Sequence, residues 1–201
     1  MKNLFLALSA FLLTACSQVN SVTPFDNEQA AKVLQQNYTS QPTEQMVKLN
    51  LPNKNNWQKI DLSYENKGAP VILIPTNENV NNWSQSVRTK ISAYINSPYI
   101  TAKQVVQNDL NNARNHCQQA TGNIIEESKN AIVYRLDFAN CYDEKNQMQI
   151  GKAFNGKDAV YLVRYTALAN QISSADIHAM SHAIQQAQLV ADPRYIAMQR
   201  H

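Results

Sequence analysis

Residues 131–167 read AIVYRLDFANCYDEKNQMQIGKAFNGKDAVYLVRYTA, and this stretch decides the fold. Three runs within it, 131–141, 148–154 and 159–167, are rich in Val, Ile, Tyr and Phe and have strand length. In the first, Ile132, Tyr134, Leu136 and Phe138 alternate and so share one face. That parity puts Cys141 on the opposite face, unless a bulge or the strand end turns it or helices cover both faces. Asn155-Gly156 divides the last two runs and suits a type I′ hairpin, whose two central places need positive φ. With a further run at 123–127, the stretch predicts four antiparallel strands in a meander.

Working outward, Val47, Leu49 and Leu51 alternate, as do Ile60, Leu62 and Tyr64, while 71–74 is a continuous apolar run closed by Pro75; these predict three strands. Val80, Trp83, Val87, Ile91, Tyr94 and Ile95 recur at helical spacing and predict a helix over 79–96. A second helix is expected after Pro98, with Thr101 and Gln104 placed as a capping box and Val106, Leu110, Ala113 and Cys117 down one face. Ile177, Met180, Ile184 and Ala187 predict a last helix over 174–190. The order β-β-β-α-α-β-β-β-β-α defines an α+β domain, a central antiparallel sheet with helices packed on it. No internal repeat is present.

That order, Ile74-Pro75 leading towards Asn82-Trp83, and the closing Val160-Tyr161-Leu162-Val163-Arg164-Tyr165 run resemble the Mog1/PsbP-like fold. The likeness spans about 130 residues and implies a binding or assembly factor with no shared catalytic site, so no functional residue is carried across.

The chain has 201 residues, 44% apolar and 16% charged, enough for one globular domain. Lys and Arg number 18 against 15 Asp and Glu, and no Lys/Arg cluster exceeds two, which argues against a nucleic-acid partner. Twenty-four asparagines and nineteen glutamines make the surface polar without making it charged.

The amino terminus carries an address. Lys2 precedes an apolar run over 4–13, far shorter than the roughly 20 residues a membrane span needs, so it reads as a secretory h-region. Leu13-Thr14-Ala15-Cys16 resembles the lipobox of bacterial lipoproteins. The resemblance implies a signal peptide over 1–15, removed at Cys16, whose thiol takes a diacylglycerol and whose new amino group is acylated, commonly with palmitate. Two or three chains anchor stably where one holds only marginally. Ser17, rather than the aspartate that favours inner-membrane retention in enteric bacteria, points to the outer membrane, periplasmic side. Residues 16–43, polar and with Pro24 and Pro42 near their ends, read as a lipidated tether with room for one short helix at 27–37. Residues 44–201 form a single domain.

Cys117 and Cys141 are then an even pair in an exported chain and are expected to form a disulfide, with two buried free thiols as the alternative. They lack the spacing of a metal pair.

Catalytic and cofactor templates fit poorly. Gly151-Lys152-Ala153-Phe154-Asn155-Gly156-Lys157 matches seven places of a phosphate loop, but Asp158 stands where Ser or Thr is needed and a strand follows where a helix should, so no nucleotide is expected. His178 and His182 are four apart on the last helix without a Glu after the first, and read as a solvated face rather than metal ligands. No G-x-S-x-G elbow occurs. Asp137 and Arg164 could face one another across adjacent strands, as a structural pair or a ligand contact. Tyr134, Tyr161 and Tyr165 are expected to pack against helices. No cofactor, metal or catalytic residue is assigned. The expectation is an outer-membrane lipoprotein, held to the membrane by its N-terminal lipid, that serves an envelope protein partner as a non-enzymatic binding or assembly accessory. An envelope hydrolase with an unrecognised site and a small-ligand carrier are the alternatives.

Overall fold

The computed structural model describes residues 44–60, 71–94, 100–141 and 145–198. Cys16, the 1–15 segment, the 16–43 tether and the expected strand residues Leu62 and Tyr64 lie outside the described residues. The elements in chain order are β1 (Gln45–Lys48), a 3-10 turn (Lys54–Asn56), β2 (Trp57–Ile60), β3 (Val71–Pro75), β4 (Gln85–Tyr94), α1 (Ala102–His116), β5 (Cys117–Glu127), β6 (Ala131–Cys141), β7 (Gln147–Asn155), β8 (Ala159–Leu168), α2 (Ser174–Gln185), β9 (Gln188–Ala191) and α3 (Pro193–Met198). Among the described residues seven strands form one antiparallel sheet in the order β2-β3-β4-β8-β7-β6-β5, while β1 pairs with β9 in a separate ribbon.

The α+β class and the four-strand meander are as the sequence predicts, but within the helix expected over 79–96 the residues 85–94 form β4, 79–84 form a turn with an Asn79–Asn82 bridge, and 95–96 lie outside the described residues. A spacing of four, as in Trp83, Val87 and Ile91, satisfies helical and strand periods alike, because four is also twice two. Thr89 fills the intermediate place, and Val87, Thr89 and Ile91 lie opposite Tyr165, Val163 and Tyr161 of β8. Pairing with β3 on one side and β8 on the other outweighs any local helical preference.

The helix over 174–190 also stops early, at Gln185, and Gln188–Ala191 becomes β9. Lys152 terminates it: Nζ donates to the carbonyls of Gln185 (2.5 Å) and Ala187 (2.9 Å), placing a cation where the helix dipole favours one. Leu189 and Val190 then pair with Val47 and Met46 of β1. At α1 the expected capping box is present, Thr101 and Gln104 exchanging bonds of 2.8 and 3.3 Å.

The hairpin between β7 and β8 forms, but not as a type I′ turn. Asn155 has no positive φ and closes β7; the N–H of Gly156 donates to Ala159 (2.9 Å). Asn155 uses its side chain elsewhere, Oδ1 accepting from the Ala102 N–H at the start of α1 (2.7 Å).

The register sorts the side chains into two cores. Val133, Met148, Ile150, Phe154, Tyr161, Val163 and Tyr165 face α2 and the β1–β9 ribbon, with Met180 and Ile184 of α2 packed among them. Ile132, Tyr134, Leu136, Phe138, Ala153, Val160 and Leu162 face α1, meeting Val106 and Leu110. Cover on both faces explains why residues 159–163 of β8 are apolar without alternation.

Cys117 opens β5 directly opposite Cys141 in the ladder, and the two are bonded. The parity problem at Cys141 is solved by Asn140, whose left-handed backbone (φ 56°) breaks the alternation at the strand end. The bond closes a loop with a sequence separation of 24. Replacing both cysteines by alanine is expected to lower unfolding stability by about 3 kcal/mol in urea titration, and non-reducing peptide mapping should recover one Cys117–Cys141 linked peptide.

Candidate functional site

Arg164 is the one charge within the central run of β8, flanked by Val163 and Tyr165, which are fully buried. It sits on the α1 side, opposite Gly151 of β7 and Arg88 of β4. Gly151 leaves space that the Tyr134 ring of the next strand fills; a Cβ at that position would strike the ring. The Tyr134 hydroxyl thereby crosses β7 and reaches the guanidinium, accepting from Arg164 Nη2 (3.0 Å) and Nε (3.3 Å). It donates to Asp109 Oδ2 of α1 (2.7 Å), and Arg164 Nη2 bonds the same oxygen. One carboxylate, one phenol and one guanidinium thus join the helix to the sheet.

Burial pushes the Tyr134 phenol well above its ordinary range, with Arg164 acting the other way, so it stays a donor. Burial works against the Arg164 charge, but Tyr134 and Asp109 outweigh it and hold the guanidinium protonated. Lys90, two residues along β4 from Arg88, is pulled below the usual lysine range, first by burial and then by Arg164, with Arg88 adding to the effect and Asp109 opposing it. This side of the sheet is electropositive.

Beside Arg164 lies a concavity of about 410 Å³ on strands β4, β8 and β7. Its cations are Arg88, Arg164 and Lys145, and no Asp or Glu is among its lining residues. Gln147, Gln149 and Thr166 provide a polar floor, each less than a tenth exposed, and Trp83 an aromatic wall. A concavity of about 480 Å³ near Trp57, Glu78 and Asp176 carries carboxylates already used by the fold: Glu78 accepts from Ser84 N–H and Oγ, and Asp176 belongs to the Ser173 cap of α2. A third, of about 520 Å³, contains Lys152, which holds the end of α2. The first concavity is therefore the candidate site, suited to binding an anion.

The structure separates the two residues that the sequence offers as a pair. Asp137 and Arg164 are not on adjacent strands; β7 lies between them and they face opposite sides of the sheet. Asp137 pairs instead with Arg135 (2.6 and 2.7 Å). His178 and His182 are exposed on α2, and among the described residues no group of three metal-binding side chains occurs. The run from Gly151 to Lys157 is strand and turn, with Asp158 accepting from Glu44 N–H and Tyr161 Oη. Tyr134, Tyr161 and Tyr165 are buried. Asp109, Arg88, Lys145, Gln147 and Gln149 carry no motif in the sequence, and Trp83, expected in a helical stripe, lines the concavity instead. The alternation of Gln147 and Gln149 with Met148 and Ile150 carried the signal, a strand with one apolar and one polar face.

No family model and no curated protein matches the chain. LpqN of Mycobacterium tuberculosis, described as involved in cell envelope biogenesis, is similar in structure, with a TM-score of 0.52 and 14% identity over 75% of this chain and 87% of that one. PsbP of the cyanobacterium Synechocystis is matched at a TM-score of 0.43 and 12% identity, over 73% of this chain and 92% of that one, a score too low to establish a common fold. The likeness to LpqN supports the α+β architecture.

Removing Asp109 should expose the cost of stranding a largely buried guanidinium. Asp109→Ala is expected to lose about 2–4 kcal/mol in urea unfolding, less than for a fully buried pair because both side chains are a fifth exposed. Tyr134→Phe, which removes only the hydroxyl, should lose about 1–3 kcal/mol.

Proposed function

We propose that the protein is an outer-membrane-anchored periplasmic lipoprotein whose domain acts without catalysis, as a binding or assembly accessory of a cell-envelope complex. The observation behind the binding role is the cation-lined concavity on the sheet, whose lining offers charge, amides and an aromatic surface for holding a ligand; its clustered polar side chains also favour the second reading, an envelope hydrolase. The LpqN likeness is compatible with work in the envelope. The lipobox-like Leu13-Thr14-Ala15-Cys16 supports the anchor, and Ser17 the outer membrane.

Anchor and domain act together. If residues 17–43 serve as the tether their composition suggests, about 27 residues would give a root-mean-square reach of roughly 25–30 Å and let the domain search a thin layer beside the membrane. Confinement raises the effective concentration of any partner held in the same layer, and modest intrinsic affinity then suffices.

Cys16→Ser is expected to abolish lipidation and leave the precursor unprocessed; unchanged lipid attachment by intact-mass analysis would refute the anchor. Mild-detergent purification from native membranes should recover an envelope protein in fixed stoichiometry. A protein that purifies alone and turns over a cell-wall substrate would overturn the accessory role in favour of an envelope hydrolase.

A further inference from the structure

We propose that the concavity lined by Arg88, Lys145 and Arg164 is a phosphate-ester site, taking a phosphoryl group attached to a small polar body. The inference rests on the binding-module reading above and names the chemistry of its ligand.

Charge comes first. Arg88 and Arg164 are directly opposite in the β4–β8 ladder and point to the same face, an arrangement of like charges that a sheet otherwise disfavours. Lys145 adds a third cation at the same hollow, and no carboxylate is among the lining residues. Asp109 offsets Arg164 from the α1 side, outside that lining. A carboxylate brings one charge and two acceptor oxygens; a phosphomonoester brings up to two charges and a diester one, and the tetrahedral spread of phosphate oxygens matches better a hollow where cations stand on β4, on β8 and beside β7, with Arg164 Nε and Nη2 already engaged by Tyr134 and Asp109.

Size and the remaining lining set the rest of the ligand. About 410 Å³ holds more than a bare ion. Gln149 and Thr166 at the floor and Ser86 at the side present amide and hydroxyl groups suited to a hydroxylated body, and Trp83 offers it an apolar face. The shared chemistry is a phosphate on a glycerol- or sugar-sized group, which a soluble phosphomonoester or a phospholipid headgroup would both supply.

The test is isothermal titration of the detergent-solubilised full chain, in phosphate-free buffer, with three water-soluble probes: glycerol 3-phosphate, glycerophosphoglycerol and glycerate. Saturable binding of either phosphate ester, at least tenfold tighter than glycerate and weakened tenfold or more by Arg88→Gln combined with Lys145→Gln, is the expected result. Both substituted residues are exposed, so an unchanged thermal midpoint should confirm that the variant folds. Preference for glycerophosphoglycerol identifies a lipid headgroup as the source, and preference for glycerol 3-phosphate a free monoester. The proposal is overturned by the absence of saturable binding to 10 mM of either ester, by glycerate binding equally well, or by an affinity that the double variant leaves unchanged. Capture of an envelope partner is measured separately, so failure of the titration and failure of the accessory role are distinguishable.

Discussion

A guanidinium in the middle of an apolar strand must find a counter-charge, and the Arg164–Asp109–Tyr134 network is how this chain meets that requirement. The apolar stripe of α1, Val106 and Leu110 among its members, would tolerate small slides along the sheet because apolar contact is not directional. The hydrogen bonds do not tolerate them. Asp109 serves Tyr134 and Arg164 together only when α1 sits at one height and one rotation. Such a pair is weak as a source of net stability, since desolvation takes back much of the attraction. Its structural consequence is register: α1 is held over β5, β6 and β7, and the neighbouring stretch of β8 and β4 is left outside its cover.

Much of the fold was legible in the sequence because the meander has runs of strand length rich in Val, Ile, Tyr and Phe, one of them plainly alternating, and α1 announces its start with Thr101 and Gln104. The strand at Gln85–Tyr94 was not, for a physical reason: its apolar residues fall four apart, a spacing shared by both periods, and what selects the strand is long-range pairing with β8. The shortened α2 has a similar cause. Its end is set by Lys152, a residue on a strand more than thirty positions earlier, and by the ribbon that β9 makes with β1. The candidate site was less legible still. Arg88 and Lys145 are far apart in sequence and become neighbours only through the sheet, and Trp83 was read as one member of a helical stripe.

Motifs that invite a chemical reading can be consumed by architecture. In Gly151-Lys152-Ala153-Phe154-Asn155-Gly156-Lys157, Gly151 makes room for the Tyr134 ring, Lys152 stops α2, and Asn155 caps α1. Ala153 and Phe154 enter opposite cores. Five of the seven residues thus have stated structural employment that reaches three other elements, and none of it involves a phosphate. Gly151 also serves the cationic surface, because it admits the phenol that holds Arg164.

The two faces of the sheet are unequal, and that inequality is where binding capacity arises. On one side α2 and the β1–β9 ribbon cover the central strands with apolar contacts. On the other, α1 covers only part of the width, and beyond its edge β7, β8 and β4 turn polar: Gln147 and Gln149, Arg164 and Thr166, Ser86 and Arg88. These residues stand on paired strands, so the Cα spacing of opposite residues is fixed by the ladder at about 4.5–5.5 Å. Arg88 and Arg164 cannot relieve their repulsion by backbone drift, as two arginines on a loop could. A charge cluster held in this way costs little further ordering when an anion arrives, which is the physical advantage of building a binding surface on a sheet.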